Sequence, residues 1–317
     1  MAEDKNKKLA ALIRQNQSQL TEGILERHLT EKPALKARYS TDDLQKCRQD
    51  IHYHLSYLSE ALMLDSHGLF LDYVQWVKHL FLGLGIPIAE LAHNFKVIQN
   101  VIHDQFATQI EFPGLDKLIN RGLGIINQES NLLQTFLDQK NPYYRLANDY
   151  LHSLIDGNRP YANQMILKKA EEGVPIQDLY LQVFEPVQKE IGRLWQLNQI
   201  SVAQEHYCTS LTQSLMAQLY PYFIQTGMKK YICLTTCVSN ELHEMGIRMI
   251  ADLLEMEAWD TYHLGANTPA ESIVQMIQEK KVHLVGISAT IAYHLRHMEA
   301  LIKAIRAIDK EKKIKIM

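Results

Sequence analysis

The feature that most constrains this fold is a single change of hydrophobic period near residue 229. Before it, apolar residues recur at helical spacing and no strand pattern occurs. After it, short β-branched and apolar runs alternate with helical stretches. One kind of layer cannot serve both patterns, because neighbouring side chains share a face every third or fourth residue on a helix and every second on a strand. The expectation is a mainly helical protein that ends in an α/β domain.

Residues 1–140 read as helix throughout. In "STDDLQKCRQDIHYHLSYLSEALM" a Ser-Thr-Asp-Asp cluster caps a helix that puts Leu44, Ile51, Leu55, Leu58 and Leu62 on one face. Pro87 stands at a new helix start. An all-helical N-terminal sensor or regulatory domain follows, of a size that suits a globin-like fold. Residues 141–228 are a second helical unit. Breaks at Asp156-Gly157-Asn158, Gly173-Val174-Pro175 and Leu197-Asn198-Gln199 cut it into four helical lengths. Asn141-Pro142 makes a cap and first turn, and Ser201 with Gln204 a capping box. Short connections favour antiparallel neighbours, hence a four-helix bundle. In residues 229–317, "KYICLTTCV" reads as a buried strand, followed by a helix over 243–256 and the strand "DTYHLG". A helix capped by Thr268, Pro269 and Glu271, the strand "VHLVGIS", a helix over 294–308 and "KIKIM" complete the pattern. That order predicts a Rossmann-like, doubly wound parallel sheet, with ligands at the carboxyl ends of its strands.

Composition removes several functions. Lys+Arg 33 against Asp+Glu 36 gives a net charge of −3, unlike a general nucleic-acid binder. Residues 1–140 show no compact basic recognition helix, so direct nucleic-acid binding is not expected. No apolar run reaches membrane-spanning length, and "MAEDKNKKLA" lacks the apolar core of a signal peptide. Cys47, Cys208, Cys233 and Cys237 make no disulfide framework, which fits a reducing cytoplasm. There is no P-loop, nucleophile elbow or kinase motif, and the expectation is a binding protein rather than an enzyme. Cys233 and Cys237 lie too far apart on a strand for one zinc ion, and His52 and His54 face different ways on a helix. His294 and His297 could meet, but no third ligand stands out.

The chemistry gathers at "NELHEMG", where Glu241, His243 and Gly246 are spaced E-x-H-x-x-G. A helix-start histidine can be only a cap or a surface residue. Here it follows the first strand of an α/β unit, where a ligand can reach it. Gly246 lies one turn on, where a missing side chain lets a large flat ligand approach the backbone. Ser288 closes the third strand, 45 residues after His243. This triple resembles the cobalamin-binding fold of methionine synthase, the B12-dependent mutases and related sensors. The resemblance implies that the cofactor's nucleotide tail enters a slot in the sheet and that His243 becomes the lower axial ligand of cobalt. Neutral imidazole is a good donor to a borderline metal. Glu241 would accept the other ring N–H and tune donor strength, and Ser288 would face the buried tail base. Glu241 stands where most of the family has Asp. No Gly-Gly follows Ser288 at the family's distance, so the domain is expected to be C-terminally incomplete, stopping at "KIKIM".

The bundle carries a second signal in "IGRLWQLNQISVAQEHYCTS". Trp195, Glu205 and His206 could be a core aromatic and an exposed polar pair. Placed just before a cobalamin-like domain, they resemble the light-sensing cap of CarH-type photoreceptors, as does "HLGANTP". The resemblance spans residues 142–317. It implies 5′-deoxyadenosylcobalamin, with Trp195 packing near the adenosyl group and Glu205 and His206 touching it. Light would break the cobalt–carbon bond and let the bundle shift, changing oligomeric or partner contacts. Gln196 replaces the histidine that takes cobalt's upper position in the family's best-known member; His152, His206 or water could stand in. His28, His52, His54, His67, His79, His93 and His103 fall in the first domain, which could hold a second tetrapyrrole such as biliverdin, as in the photocobilins. The expected partners are a homo-oligomer or a downstream signalling protein. The alternative is a corrinoid carrier that brings methylcobalamin to a methyltransferase. A sensor of B12 level, indifferent to light, is a third reading.

Overall fold

The structure, a computed structural model, describes residues 2–129, 133–224 and 231–317. The chain divides into two compact units, residues 1–132 and 133–317. The first is built from α1 (Ala2–Gln15), α2 (Gln17–Glu31), the short α3 (Pro33–Lys36), α4 (Thr41–Met63), α5 (His67–Gly83), α6 (Ile88–Phe106) and α7 (Pro113–Asn127). Ser40 caps α4 through a reciprocal box with Asp43, and Pro87 is the N-cap of α6. Ile51, Leu55, Leu58 and Leu62 are buried in one core with Ile24, Phe70, Val74, Phe95 and Ile98, while Leu44 is only half-buried beside it. Of the histidines here, His28, His54 and His79 are buried. His54 Nδ1 lies 2.7 Å from the Tyr73 hydroxyl, and burial pulls its pKa down to about 4.

The second unit begins at 133, not near 140, because its first residues fold onto its own helices. The Phe136 N–H donates to Glu190 Oε2 at 2.9 Å, and Arg193 donates to the Leu133 carbonyl at 3.3 Å. Its bundle comprises α8 (Tyr144–Ile155), α9 (Arg159–Glu171), a long third helix and α12 (Val202–Leu219). The third helix runs as α10 (Ile176–Asp178), a π-helical segment (Leu179–Phe184) and α11 (Glu185–Gln196). The Ser201–Gln204 capping box is present at α12. Asn141 does not cap α8; its side chain accepts from the Tyr143 N–H and donates to the Gln182 carbonyl, and the helix starts two residues later than the sequence predicts. Buried Tyr150 and Thr212 share a hydrogen bond of 2.9 Å inside the bundle.

The sheet is parallel, in the order β2 (Asp260–His263), β1 (Ile232–Cys237), β3 (Leu284–Ser288), β4 (Lys315–Ile316). β1 and β3 pair in the centre, with Cys237 opposite Ser288. Met317 extends the edge ladder, exchanging hydrogen bonds with Val285 and Ile287. Helices α14 (Ala270–Lys280) and α15 (Leu295–Ile308) bury Ile273, Ile277, Leu301 and Ile305 with Leu234, Val285 and Ile287 of the strands. Thr268 does not cap α14; its hydroxyl donates to the Leu264 carbonyl.

Helix α13 (Met245–Met256) lies between sheet and bundle. Met245, Met249 and Met256 pack on the bundle core. The Tyr180 hydroxyl donates to Asp252 at 2.8 Å, and that of Tyr220 to Glu255 at 3.3 Å. These spacings put one stripe of α13 against the bundle. Burial raises the Asp252 carboxyl above its ordinary range, against the Tyr180 hydrogen bond. Sheet and bundle together make up the second compact unit.

Candidate cofactor site

In a sheet of this order the crevice opens where neighbouring strands send their chains in opposite directions, here beyond the ends of β1 and β3. Two loops meet there: residues 238–244 after β1, and 289–294 after β3. Glu241 joins them. Its side chain is fully buried, and both oxygens are in use. Oε1 accepts from the His243 backbone N–H at 3.0 Å and from His243 Nδ1 at 2.5 Å. Oε2 accepts from the Thr290 and Ile291 N–H groups at 2.6 and 3.1 Å and from His294 Nδ1 at 3.1 Å. Burial alone would raise this carboxyl, but the hydrogen bonds from His243, His294 and Thr290 win and bring it down to about 2. Glu241 is therefore an anion at neutral pH and can only accept.

That fixes the imidazole of His243. Nδ1 must carry the proton it gives to Glu241, so the neutral ring keeps a bare lone pair on Nε2. The side chain is 60% exposed, and Glu241 beneath it is fully buried. His243 sits in the loop before α13 rather than within the helix. Beside it, a Cβ added to Gly246 would meet no atom within 4 Å, so open space lies over the first turn of α13. Ser288 is half-buried at the end of β3, its carbonyl accepting from the Val238 N–H at 3.1 Å. An oriented bare imidazole nitrogen, an open backbone and a strand-end crevice fit a large planar metal macrocycle. His243 would be the residue that holds such a group; among the described residues no three His, Cys, Asp or Glu side chains gather as a metal site.

Helix α12 connects this loop to Glu205 and His206, two of the three bundle residues singled out by sequence. Gln213 donates to Glu244 Oε1 at 3.1 Å, next to His243, and Glu244 Oε2 accepts from the Ala266 N–H at 2.9 Å. Eight residues earlier on α12, Glu205 accepts from Thr209 and pairs with His206. At about 1.5 Å per residue, Glu205 stands roughly 12 Å up the helix from the Gln213 contact. His206 is exposed; Trp195 is half-buried against the bundle core, the same core that Met245 borders. His152 lies on α8 and lines a cavity of about 410 Å³ with Tyr144, Leu151, Glu190 and Leu194. Sequence reasoning paired His294 only with His297; the ring is 1% exposed and shares Glu241 with His243.

Three family models match. Residues 231–317 match a B12 binding domain, residues 146–220 a second B12 binding domain model, and residues 2–151 a Phycobilisome protein model. The chain carries B12-binding domains. Its cofactor is a corrinoid. The dimethylamine corrinoid protein of Methanosarcina barkeri is 20% identical over 92 residues, 29% of this chain and 43% of that protein. Dimethylamine corrinoid protein 1 of Methanosarcina mazei is 21% identical over 80 residues, 25% of this chain and 37% of that protein. The chain thus spans less than half the length of either relative. Among solved structures, the monomethylamine corrinoid protein of Methanosarcina barkeri aligns at 16% identity and a TM-score of 0.47, covering 55% of this chain and 82% of that one. No helix among the described residues is long and apolar enough to cross a membrane.

Proposed function

We propose that the protein holds cobalamin with its nucleotide tail in the sheet and His243 as the lower axial ligand of cobalt. The observation that carries this reading is the buried Glu241 carboxylate holding His243 by Nδ1, with Nε2 left bare on the exposed side. Glu241 orients the ring, Gly246 leaves room for the corrin, and Ser288 borders the tail slot. Trp195, near the end of α11, and Glu205 and His206, at the start of the helix that touches Glu244, are assigned to the upper face. When bound, cobalamin supplies a reactive cobalt–carbon bond, whose strength answers to the donor beneath it.

The relatives, named as dimethylamine corrinoid proteins, support carriage of a methyl group, with a methyltransferase as protein partner. In that role the chain is not catalytic by itself. A second reading, an adenosylcobalamin light sensor, rests on two observations. The bundle residues Trp195, Glu205 and His206 resemble the photoreceptor pattern, with Gln196 in place of its histidine, and residues 2–151 match a Phycobilisome protein model. The first unit would then be the place for a bilin, and the output a change in oligomeric or signalling contacts.

The test starts with methylcobalamin and adenosylcobalamin, each bound in the dark and followed by absorption. Tail-displaced, histidine-ligated spectra are expected. His243→Ala should abolish that signature while the protein stays folded; a retained signature removes His243 from the cobalt. Illumination with size measurement separates the roles. A light-driven change of size supports the sensor, whereas methyl exchange with a methyltransferase and no change of size supports the carrier. Protein made with biliverdin should gain a red-absorbing band if the first unit takes a bilin.

A further inference from the structure

The carboxylate of Glu241 serves two imidazoles, and only one of them has a role so far. His294 ends a short 3-10 turn, Ala292–His294, and its ring is enclosed by the protein. Its Nδ1 gives a proton to Glu241 Oε2 at 3.1 Å. Its Nε2 is buried with no hydrogen-bond partner. A bare buried acceptor destabilises the fold, so the ring's presence calls for a compensating purpose. The two histidines are 51 residues apart in sequence and have opposite exposures, 60% and 1% for their side chains.

We propose that His294 is a positioning residue for the corrinoid's lower ligand. This rests on the reading of His243 as that ligand. Oε2 is tied from three directions, by the Thr290 and Ile291 amides and by the His294 ring. The two amides belong to one loop and pull from one side. The imidazole, carried by the following turn, is the only side chain on that oxygen among the described residues, and with it the carboxylate plane is set. Once that plane is set, Oε1 can meet His243 Nδ1 in only one orientation, and Nε2 points one way. A glutamate has one more side-chain torsion than an aspartate, so it needs the additional anchor. His294 thus offsets the freedom that Glu241 introduces.

Two measurements test this. The first uses the cofactor-free protein, with nitrogen-15 histidine NMR. In the wild type both His243 and His294 should be Nδ1–H tautomers with bare Nε2. His294→Phe keeps a buried ring but removes the donor, and should leave His243 as a mixture of tautomers. His294→Asn, whose amide nitrogen sits close to the position of Nδ1, should restore the single tautomer. The second measurement is the electron paramagnetic resonance of bound cob(II)alamin, where one axial nitrogen splits each cobalt line into three. His294→Phe should blur that splitting and weaken cobalamin binding about tenfold, the lower end of what loss of a ligand's supporting partner costs. His294→Asn should recover both. An unchanged tautomer and unchanged splitting in His294→Phe overturns the proposal. So does wild-type His294 protonated on Nε2, a result that needs no variant. Absence of nitrogen splitting in the wild type, with the NMR behaving as stated, sinks the ligand reading instead.

Discussion

Replacing Glu241 by Gln tests the site's chemistry without changing its shape. The wild-type carboxylate accepts five hydrogen bonds, two on Oε1 and three on Oε2. An amide has one accepting oxygen and one NH2. Its oxygen is best placed against the three donors on the Oε2 side. The NH2 then faces the two His243 donors, and the ring can relieve the conflict only by moving its proton to Nε2. That tautomer cannot bind cobalt without giving the proton back. The cost to the fold follows from the carboxyl's fall from 4.5 to about 2, worth about 3 kcal/mol at neutral pH. The folded pKa is depressed, so this stability is complete above pH 4.5 and is lost as pH falls toward 2. A protonated Glu241 resembles Gln, so wild type and variant should converge in acid. Urea unfolding of both proteins at pH 6 and pH 3.5 provides the assay. We expect a gap of about 3 kcal/mol at pH 6 that narrows by about 1.4 kcal/mol at pH 3.5. A gap below about 0.5 kcal/mol at pH 6, or one that does not narrow in acid, refutes the reasoning.

Gly246→Ala should leave the melting temperature of the cofactor-free protein unchanged or raise it, since the new methyl meets nothing and alanine favours helix by up to about 1 kcal/mol. Gly246→Leu should fold as well yet lose at least about tenfold in cobalamin affinity; normal binding would show that no ligand passes over that turn. In the first unit, buried His54 stays neutral in the fold while the unfolded chain takes a proton below about 6.5. Its contribution is therefore whole above that pH and declines toward pH 4, by about 3 kcal/mol in total. NMR of the intact chain should show a ring that does not titrate above pH 5, and a midpoint near 6.5 would refute its burial as a neutral group.

Much of this architecture is legible in the residues because the signals are local. The bundle breaks at 156–158, 173–175 and 197–199, the Ser201 box and the alternation after 229 each depend on a few neighbouring side chains. What escapes are pairings made by topology. Glu241 and His294 are 53 residues apart, and only the adjacency of β1 and β3 brings their loops together. Strand order places the crevice, but no spacing rule says which helix-start side chain will turn back into it. His294 instead invites pairing with His297 one turn on, and those rings lie 6.2 Å apart. The π-helical stretch at 179–184 and the return of residues 133–137 onto Glu190 and Arg193 also depend on partners far along the chain. The two starts that the sequence misplaces, at Asn141 and Thr268, share a cause. Both side chains have the chemistry of a cap, and both find another backbone group within reach.

The stripe of α13 that faces the bundle has a mechanical consequence. Met245, Met249 and Met256 have unbranched thioether chains with many near-equal packings, so that surface resists sideways slip far less than a seam of branched residues would. Two phenol-to-carboxylate links, at Tyr180 and Tyr220, pin an otherwise slippery bearing. Any glide of α13 against the bundle must therefore first break those two links.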